Sequence, residues 1–194
     1  MAIRLNSIKV SFENNVVLDQ FSATFLDHQI TGIYGPSGIG KTTLLKLLSG
    51  LITSDSGEIA GLPQKDRISY VFQENRLLPW RTVRQNIEFV LTNSDEKEKV
   101  SSILMLVGLS DVSDQYPDQL SGGMAKRVAL ARAFCKSSDL LLMDEPFTGL
   151  DTALKNQIMD DFLKLWKYDQ RTTILVSHDL DEINRLCSDC VVLK

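Results

Sequence analysis

Nine residues, Gly35-Pro36-Ser37-Gly38-Ile39-Gly40-Lys41-Thr42-Thr43, constrain this chain more than any others. They match G-x-x-x-x-G-K-[ST], a loop that binds phosphate. An apolar run, Ile30 to Tyr34, leads into it as a strand. Lys41 to Ser49 leads out as a helix, which Gly50 stops. The spacing follows from the chemistry. Glycines let backbone N–H groups converge on phosphate oxygens without Cβ clashes, and the helix after them points its positive end at the same anion. Lys41 is expected to reach the β- and γ-phosphates of a nucleotide, and the Thr42 hydroxyl to hold Mg²⁺.

At 194 residues the chain fits one domain with an inserted lobe. Its 43 % apolar and 24 % charged residues suit a globular protein, and a net charge of −4 gives no support to a nucleic-acid partner. No apolar run approaches the roughly 18 residues of a membrane span, and no export signal opens the sequence, so the chain is expected in the cytoplasm. Cys135, Cys187 and Cys190 make an odd count. Cys187-x-x-Cys190 has the spacing of half a zinc site or a redox pair. It has no second pair and does not open a helix after a strand, so it reads as structural.

Ile3, Leu5 and Ile8 to Phe12 form a first predicted strand. Asn14-Asn15 signals a turn, and Phe21, Ala23 and Phe25 alternate as a half-buried second strand. This hairpin is expected against the main sheet with Phe12 at its tip, where Phe12 is either a core residue or an exposed aromatic. Ile68 to Phe72 reads as a buried strand. Helical patterns then dominate to about residue 136. One helix starts near Asp95 with Asn93 or Ser94 as cap, buries Val100, Ile103, Leu104 and Val107, and ends at Gly108. Leu140 to Met143 is a continuous apolar run of the central parallel type. A helix with Leu154, Ile158, Phe162 and Leu165 on one face comes next, then a strand from Thr172 to Val176, a short helix from Leu180 to Leu186 and a strand from Val191 to Leu193. Alternating strands and helices imply a mostly parallel sheet with right-handed crossovers.

Asp144-Glu145 ends the apolar strand. Two carboxylates there are costly unless used. After a phosphate loop, Asp144 is expected to hold Mg²⁺ and Glu145 to position or deprotonate a water, which points to hydrolysis rather than binding alone. Leu120-Ser121-Gly122-Gly123-Met124 then completes an ordered set with the phosphate loop, Gln73, Asp144-Glu145, Leu150-Asp151 and His178. The whole chain resembles the ATP-binding cassette of ABC transporters. That resemblance implies an α/β phosphate-loop NTPase fold of the ABC type. A mostly parallel sheet would carry an antiparallel β subdomain, with residues 1–73 and 137–194 as the core and residues 74–136 as an inserted helical lobe.

The resemblance also implies roles and ligands, namely ATP and Mg²⁺. Gly35, Pro36, Ser37, Gly38, Ile39, Gly40, Lys41, Thr42 and Thr43 would cradle the phosphates, and Phe12 would stack on adenine. Thr42, Gln73 and Asp144 would serve the metal. Glu145, with His178 and Gln73, would serve hydrolysis. Ser121, Gly122, Gly123 and Asp151 would face the nucleotide held by a second cassette, either another copy or a paralogue. Gln73 to Trp80, with Thr82, Val83 and Asn86, resembles importer ATPases for nitrate, sulfonate and taurine-type solutes. In that group the stretch faces a transmembrane permease, and an extracytoplasmic solute-binding protein completes the system. The subunit would then lie on the cytoplasmic face of the membrane. Leu77, Leu78 and Trp80 either dock there or pack the lobe. The sequence departs from the family pattern at Met124, which takes the place of the usual glutamine. It also ends at Lys194, directly after the last strand, where more strand and helix are expected. The alternative reading is a soluble ABC ATPase acting on DNA or ribosomes, against which stand the acidic charge and the lack of coiled-coil or zinc inserts.

Overall fold

A computed structural model describes residues 2–13, 15–91 and 97–193. Contacts group them into two compact units. One comprises Met1–Tyr70, Ser138–Glu145 and Arg171–Lys194, the other Val71–Ser137 and Pro146–Gln170.

The first unit is built on two sheets. Strands β1 (Ile3–Phe12), β2 (Asn15–Phe25) and β4 (Ser56–Ala60) form an antiparallel sheet in the order β2-β1-β4. Five strands form the other, in the order β5-β6-β7-β3-β8: β3 (Ile30–Tyr34), β5 (Ile68–Val71), β6 (Leu140–Asp144), β7 (Thr172–Ser177) and β8 (Asp189–Val192). Strands β6, β7, β3 and β8 pair in parallel, and β6 and β7 are buried at every position. That explains their unbroken apolar and β-branched runs. Register aligns the strand ends. Tyr34 pairs with Ser177 and Asp144 with Val176, so the chain leaves β3, β6 and β7 at one edge of the sheet. That carboxyl edge is where ligands bind in open α/β sheets.

Helix α1 (Lys41–Leu48) buries Leu44, Leu45, Leu47 and Leu48 in the core cluster. Ile3, Leu5, Ile8, Val10, Leu18 and Phe25 of the antiparallel sheet contribute to the same cluster. So do Ile33, Leu142, Ile174 and Val176 of the parallel sheet. Each such side chain contributes about 1.5–3 kcal/mol on burial, so the helix that follows the phosphate loop is anchored in the hydrophobic core of the unit. Strand β4 has no counterpart in the sequence expectations. Ser56-Gly57-Glu58-Ile59-Ala60 lacks a strand-like alternation, and its pairing with β1, Leu5 opposite Ile59, supplies what the pattern does not.

The second unit is helical: α2 (Val83–Glu88), α3 (Lys97–Leu106), α4 (Gly122–Cys135) and α5 (Thr152–Asp169). Val100, Ile103, Leu104 and Val107 are buried, and Gly108, with φ +66°, ends that helix as expected. The expected cap at Asn93 or Ser94 lies outside the described residues. Helix α2 had no sequence expectation. Thr82 and Gln85 open it with a reciprocal capping box. Phe162 of α5 packs edge-to-face on Phe134 of α4, ring centres 6.0 Å apart, and Asp161 pairs with Arg127 at 3.0 Å. These contacts place α5 with α4, although α5 lies between two strands of the first unit in chain order. Among the described residues no helix is long and apolar enough to cross a membrane.

Candidate functional site

In the first unit the loop between β3 and α1 closes on its own lysine. Lys41 is only 5 % exposed, and its ammonium donates to the carbonyls of Gly35 at 2.8 Å and Pro36 at 2.9 Å. Gly40 has φ +106°, and a Cβ there would lie 2.8 Å from Cγ1 of Val17. Conformation and space therefore both require glycine at that position. Gly38 also has positive φ and faces open space. The loop is thus a rigid cradle with a buried cation behind it.

Two hydroxyls converge on Asp144 at the end of β6. Thr42 donates to Oδ1 at 3.1 Å and Tyr70 to Oδ2 at 3.2 Å. Asp144 is buried, and loss of water pushes its carboxyl above the usual carboxylate range, against the pull of these two hydrogen bonds. A desolvated carboxylate beside a threonine hydroxyl offers the hard oxygens that Mg²⁺ prefers. Among the described residues no group of three or more His, Cys, Asp or Glu forms a metal cluster.

Glu145 lies between two partners. Its Oε2 is 3.1 Å from Nδ1 of His178, and its Oε1 is 3.8 Å from Nζ of Lys41. Its backbone N–H donates to Val176 at 3.0 Å, and its φ is +43°, a left-handed conformation unusual for a non-glycine. Such local strain concentrates at functional sites. His178 stands half-exposed. At the hairpin tip Phe12 is 48 % exposed, so it is an exposed aromatic and not a core residue. Cys187 and Cys190 behave differently. Burial pushes the Cys187 thiol up to about 12 and raises Cys190 as well, so neither is a thiolate near neutral pH.

In the second unit Ser121 and Asp151 are exposed helix caps. Ser121 Oγ accepts from the Met124 N–H at 3.2 Å, and Asp151 Oδ1 from the Leu154 N–H at 3.1 Å. Gly123 permits a close approach, because a Cβ there would lie 2.8 Å from Cδ1 of Leu154. Gln73 is exposed, and its carbonyl accepts from Lys126 at 2.7 Å. Lys126 and Arg132 were missed by sequence reasoning. The guanidinium of Arg132 donates to the carbonyls of Arg76 at 2.9 Å and Asn75 at 3.0 Å, so two α4 cations hold the Gln73–Arg76 segment. Burial lowers the pKa of both. Two basic residues on one helix read as solvated from sequence, and only folding shows them turned inward. Buried Asn86 shapes the next segment. It accepts from the Leu78 N–H at 2.8 Å and donates to the carbonyls of Leu78, Arg81 and Thr82. Trp80 stands 69 % exposed on that segment, with Leu77 and Leu78 half-buried.

The chain matches the ABC transporter family over residues 18–148. It is 38 % identical over 191 residues to the aliphatic sulfonates import ATP-binding protein of Bacillus subtilis, covering 93 % of this chain and 73 % of that protein. This chain belongs to the ABC transporter family. Solved ABC cassettes share its fold. The cbiO1 protein of Clostridium perfringens, part of the cbiONQ transporter complex, matches with a TM-score of 0.89 and 26 % identity over 99 % of this chain and 84 % of that one. A dimeric bacterial ABC transporter cassette matches with a TM-score of 0.83 and 26 % identity, over 99 % and 94 %. As an ABC cassette the chain binds and hydrolyses ATP. Its α/β fold, with an antiparallel sheet and a helical unit, is that of the family.

Proposed function

We propose that this ABC cassette drives a bacterial-type solute importer by hydrolysing ATP to ADP and phosphate. The Glu145 constellation carries this reading: a carboxylate 3.1 Å from an imidazole and 3.8 Å from the phosphate-loop ammonium, at the strand end where Asp144 offers metal-type oxygens. The loop Gly35–Thr43 holds the triphosphate, and Phe12 stacks on the adenine. Thr42, Asp144 and Gln73 serve Mg²⁺, which when bound neutralises charge on the phosphate oxygens. Glu145 orients the attacking water and takes its proton, and His178 faces the γ-phosphate side. The chemistry needs positioning and charge neutralisation more than covalent catalysis.

The exposed caps Ser121 and Asp151, with Gly122 and Gly123, serve a second cassette, a copy of this chain or a paralogue. The N-terminus of α4 suits an anionic phosphate. ATP thereby joins two cassettes and hydrolysis releases them, a two-state device for coupling to membrane subunits. The exposed Trp80, on a segment braced by Asn86, supports docking to a transmembrane permease. The subunit accordingly sits peripherally on the cytoplasmic face of the membrane, and an extracytoplasmic binding protein supplies the solute. The sulfonate importer relative supports a small anionic solute.

The test is to co-express the chain with a candidate importer permease from the same genome. ATP turnover of the assembled complex should exceed that of the isolated chain, and Glu145→Gln should lower it by about 10² to 10⁴ in both. Co-purification with ribosomes or DNA, and stimulation by them instead, would establish the soluble alternative.

A further inference from the structure

Among the described residues, Glu182 is a buried acid that the proposed hydrolytic machinery does not use. Glu182, on α6 (Leu180–Leu186), is 4 % exposed. A carboxylate near a helix start is favourable in water, and the exposed Asp181 already provides one. Burying a second is costly unless it is hydrogen-bonded. Glu182 Oε2 accepts from the hydroxyl of Ser177 at 2.7 Å, and Ser177 is itself buried. The same Ser177 oxygen accepts from the N–H of Asp179 at 2.9 Å. Accepting from the amide and donating to Glu182, the Ser177 hydroxyl is held in one orientation. The two residues it joins to Glu182 flank His178.

The remaining ties act on the same short segment. Val176 accepts from the Glu145 N–H at 3.0 Å, and Asp179 caps α6 through the Asp181 N–H at 2.9 Å. Ile183 and Leu186 anchor α6 in the core. His178 therefore stands on a turn braced from behind, with Nδ1 3.1 Å from Glu145.

We infer that Glu182, acting through Ser177, is a positioning residue that holds the His178 imidazole toward Glu145. The inference rests on the proposed role of His178, but its geometry can be tested separately. The chain has two histidines, so imidazole spectra hold two sets of signals, with His28 as the internal control. Ser177→Ala and Glu182→Ala should displace or broaden the His178 signal and leave that of His28 in place. Glu182→Gln, whose amide carbonyl can still accept from Ser177, should restore the wild-type spectrum. In ATP turnover, both alanine variants should lower kcat by about 10-fold to 100-fold, as misplaced catalytic groups do. KM for ATP should not change. Because the two residues act as one unit, the double variant should be no worse than the poorer single one.

An unmoved His178 signal in both alanine variants overturns the inference. So does a loss in KM with kcat intact, or loss of both histidine signals together in Ser177→Ala. If Glu182→Ala does not fold, Ser177→Ala decides alone, since it removes one oxygen. His178→Ala with full turnover would refute the role of His178 itself, while the spectra would still report on the brace.

Discussion

Replacing Glu145 with glutamine separates binding from hydrolysis at one atom. The amide keeps the shape, and its Oε1 can still accept from His178 Nδ1–H, now 3.1 Å from the carboxylate. The positive φ of +43° is equally strained for both residues, so the backbone has no reason to move. What disappears is a charge 3.8 Å from the Lys41 ammonium and a base for the attacking water. At an effective dielectric of about 20 that charge pair has a gross attraction of roughly 4 kcal/mol. Most of it is cancelled by carboxylate desolvation, which an amide does not incur. Lys41 also retains the carbonyls of Gly35 and Pro36. Folding stability should therefore change by no more than about 1 kcal/mol, and ATP should bind as well or better, because a negative group beside the phosphates is gone.

Hydrolysis should fall by about 10² to 10⁴, the usual range for a lost general base, which is about 2.7–5.4 kcal/mol of barrier. Single-turnover measurement with ATP and Mg²⁺ reads this directly. Size-exclusion chromatography should show Glu145→Gln accumulating as an ATP-dependent dimer. Adding Ser121→Arg should abolish the dimer, because a bulky cation fills space meant for the partner's phosphate. The lost Ser121 cap costs only about 1 kcal/mol, so the fold should persist. Wild-type turnover by Glu145→Gln would refute the reasoning. So would the failure of any cassette pair, with itself or a paralogue, to form under ATP-trapping conditions.

Lys41→Ala should abolish tight ATP binding in calorimetry yet unfold cooperatively, since losing its two charge-assisted hydrogen bonds, about 3–6 kcal/mol together, is offset by no longer burying an ammonium; wild-type affinity would exclude the loop as the site. Trp80→Ala should weaken association with the permease in pull-down and leave nucleotide affinity unchanged; unfolding of the helical unit instead would assign Trp80 to packing. Asp144→Asn bears on pH. Burial raises the Asp144 pKa above its ordinary 3.8, so the folded state binds this proton more tightly, and stability from this group is lost as pH rises through the folded value. The asparagine variant should therefore melt higher than wild type near neutral pH without nucleotide, with the gap closing as pH is lowered toward 3.8; a gap that is constant or reversed would refute the desolvation argument.

Much of this protein is determined by local sequence. The phosphate loop, the Ser121 cap and the Asp144-Glu145 strand end each depend on residues within a few positions, where spacing, glycine conformations and helix starts act directly. Their order along the chain was enough to place the family. Tertiary structure decided the rest. Strand β4 exists because β1 gives it a ladder, not because Ser56–Ala60 has a strand pattern. Phe12 is exposed because the hairpin ends there, which no alternation could show. The inward turn of Lys126 and Arg132, the Tyr70 hydroxyl on Asp144 and the Glu182–Ser177 brace behind His178 are likewise set by packing. A polar residue can be assigned from sequence to solvent or to a buried partner only when that partner is nearby in the chain. Tyr70 and Asp144 are 74 positions apart, and only the register of the sheets brings them together.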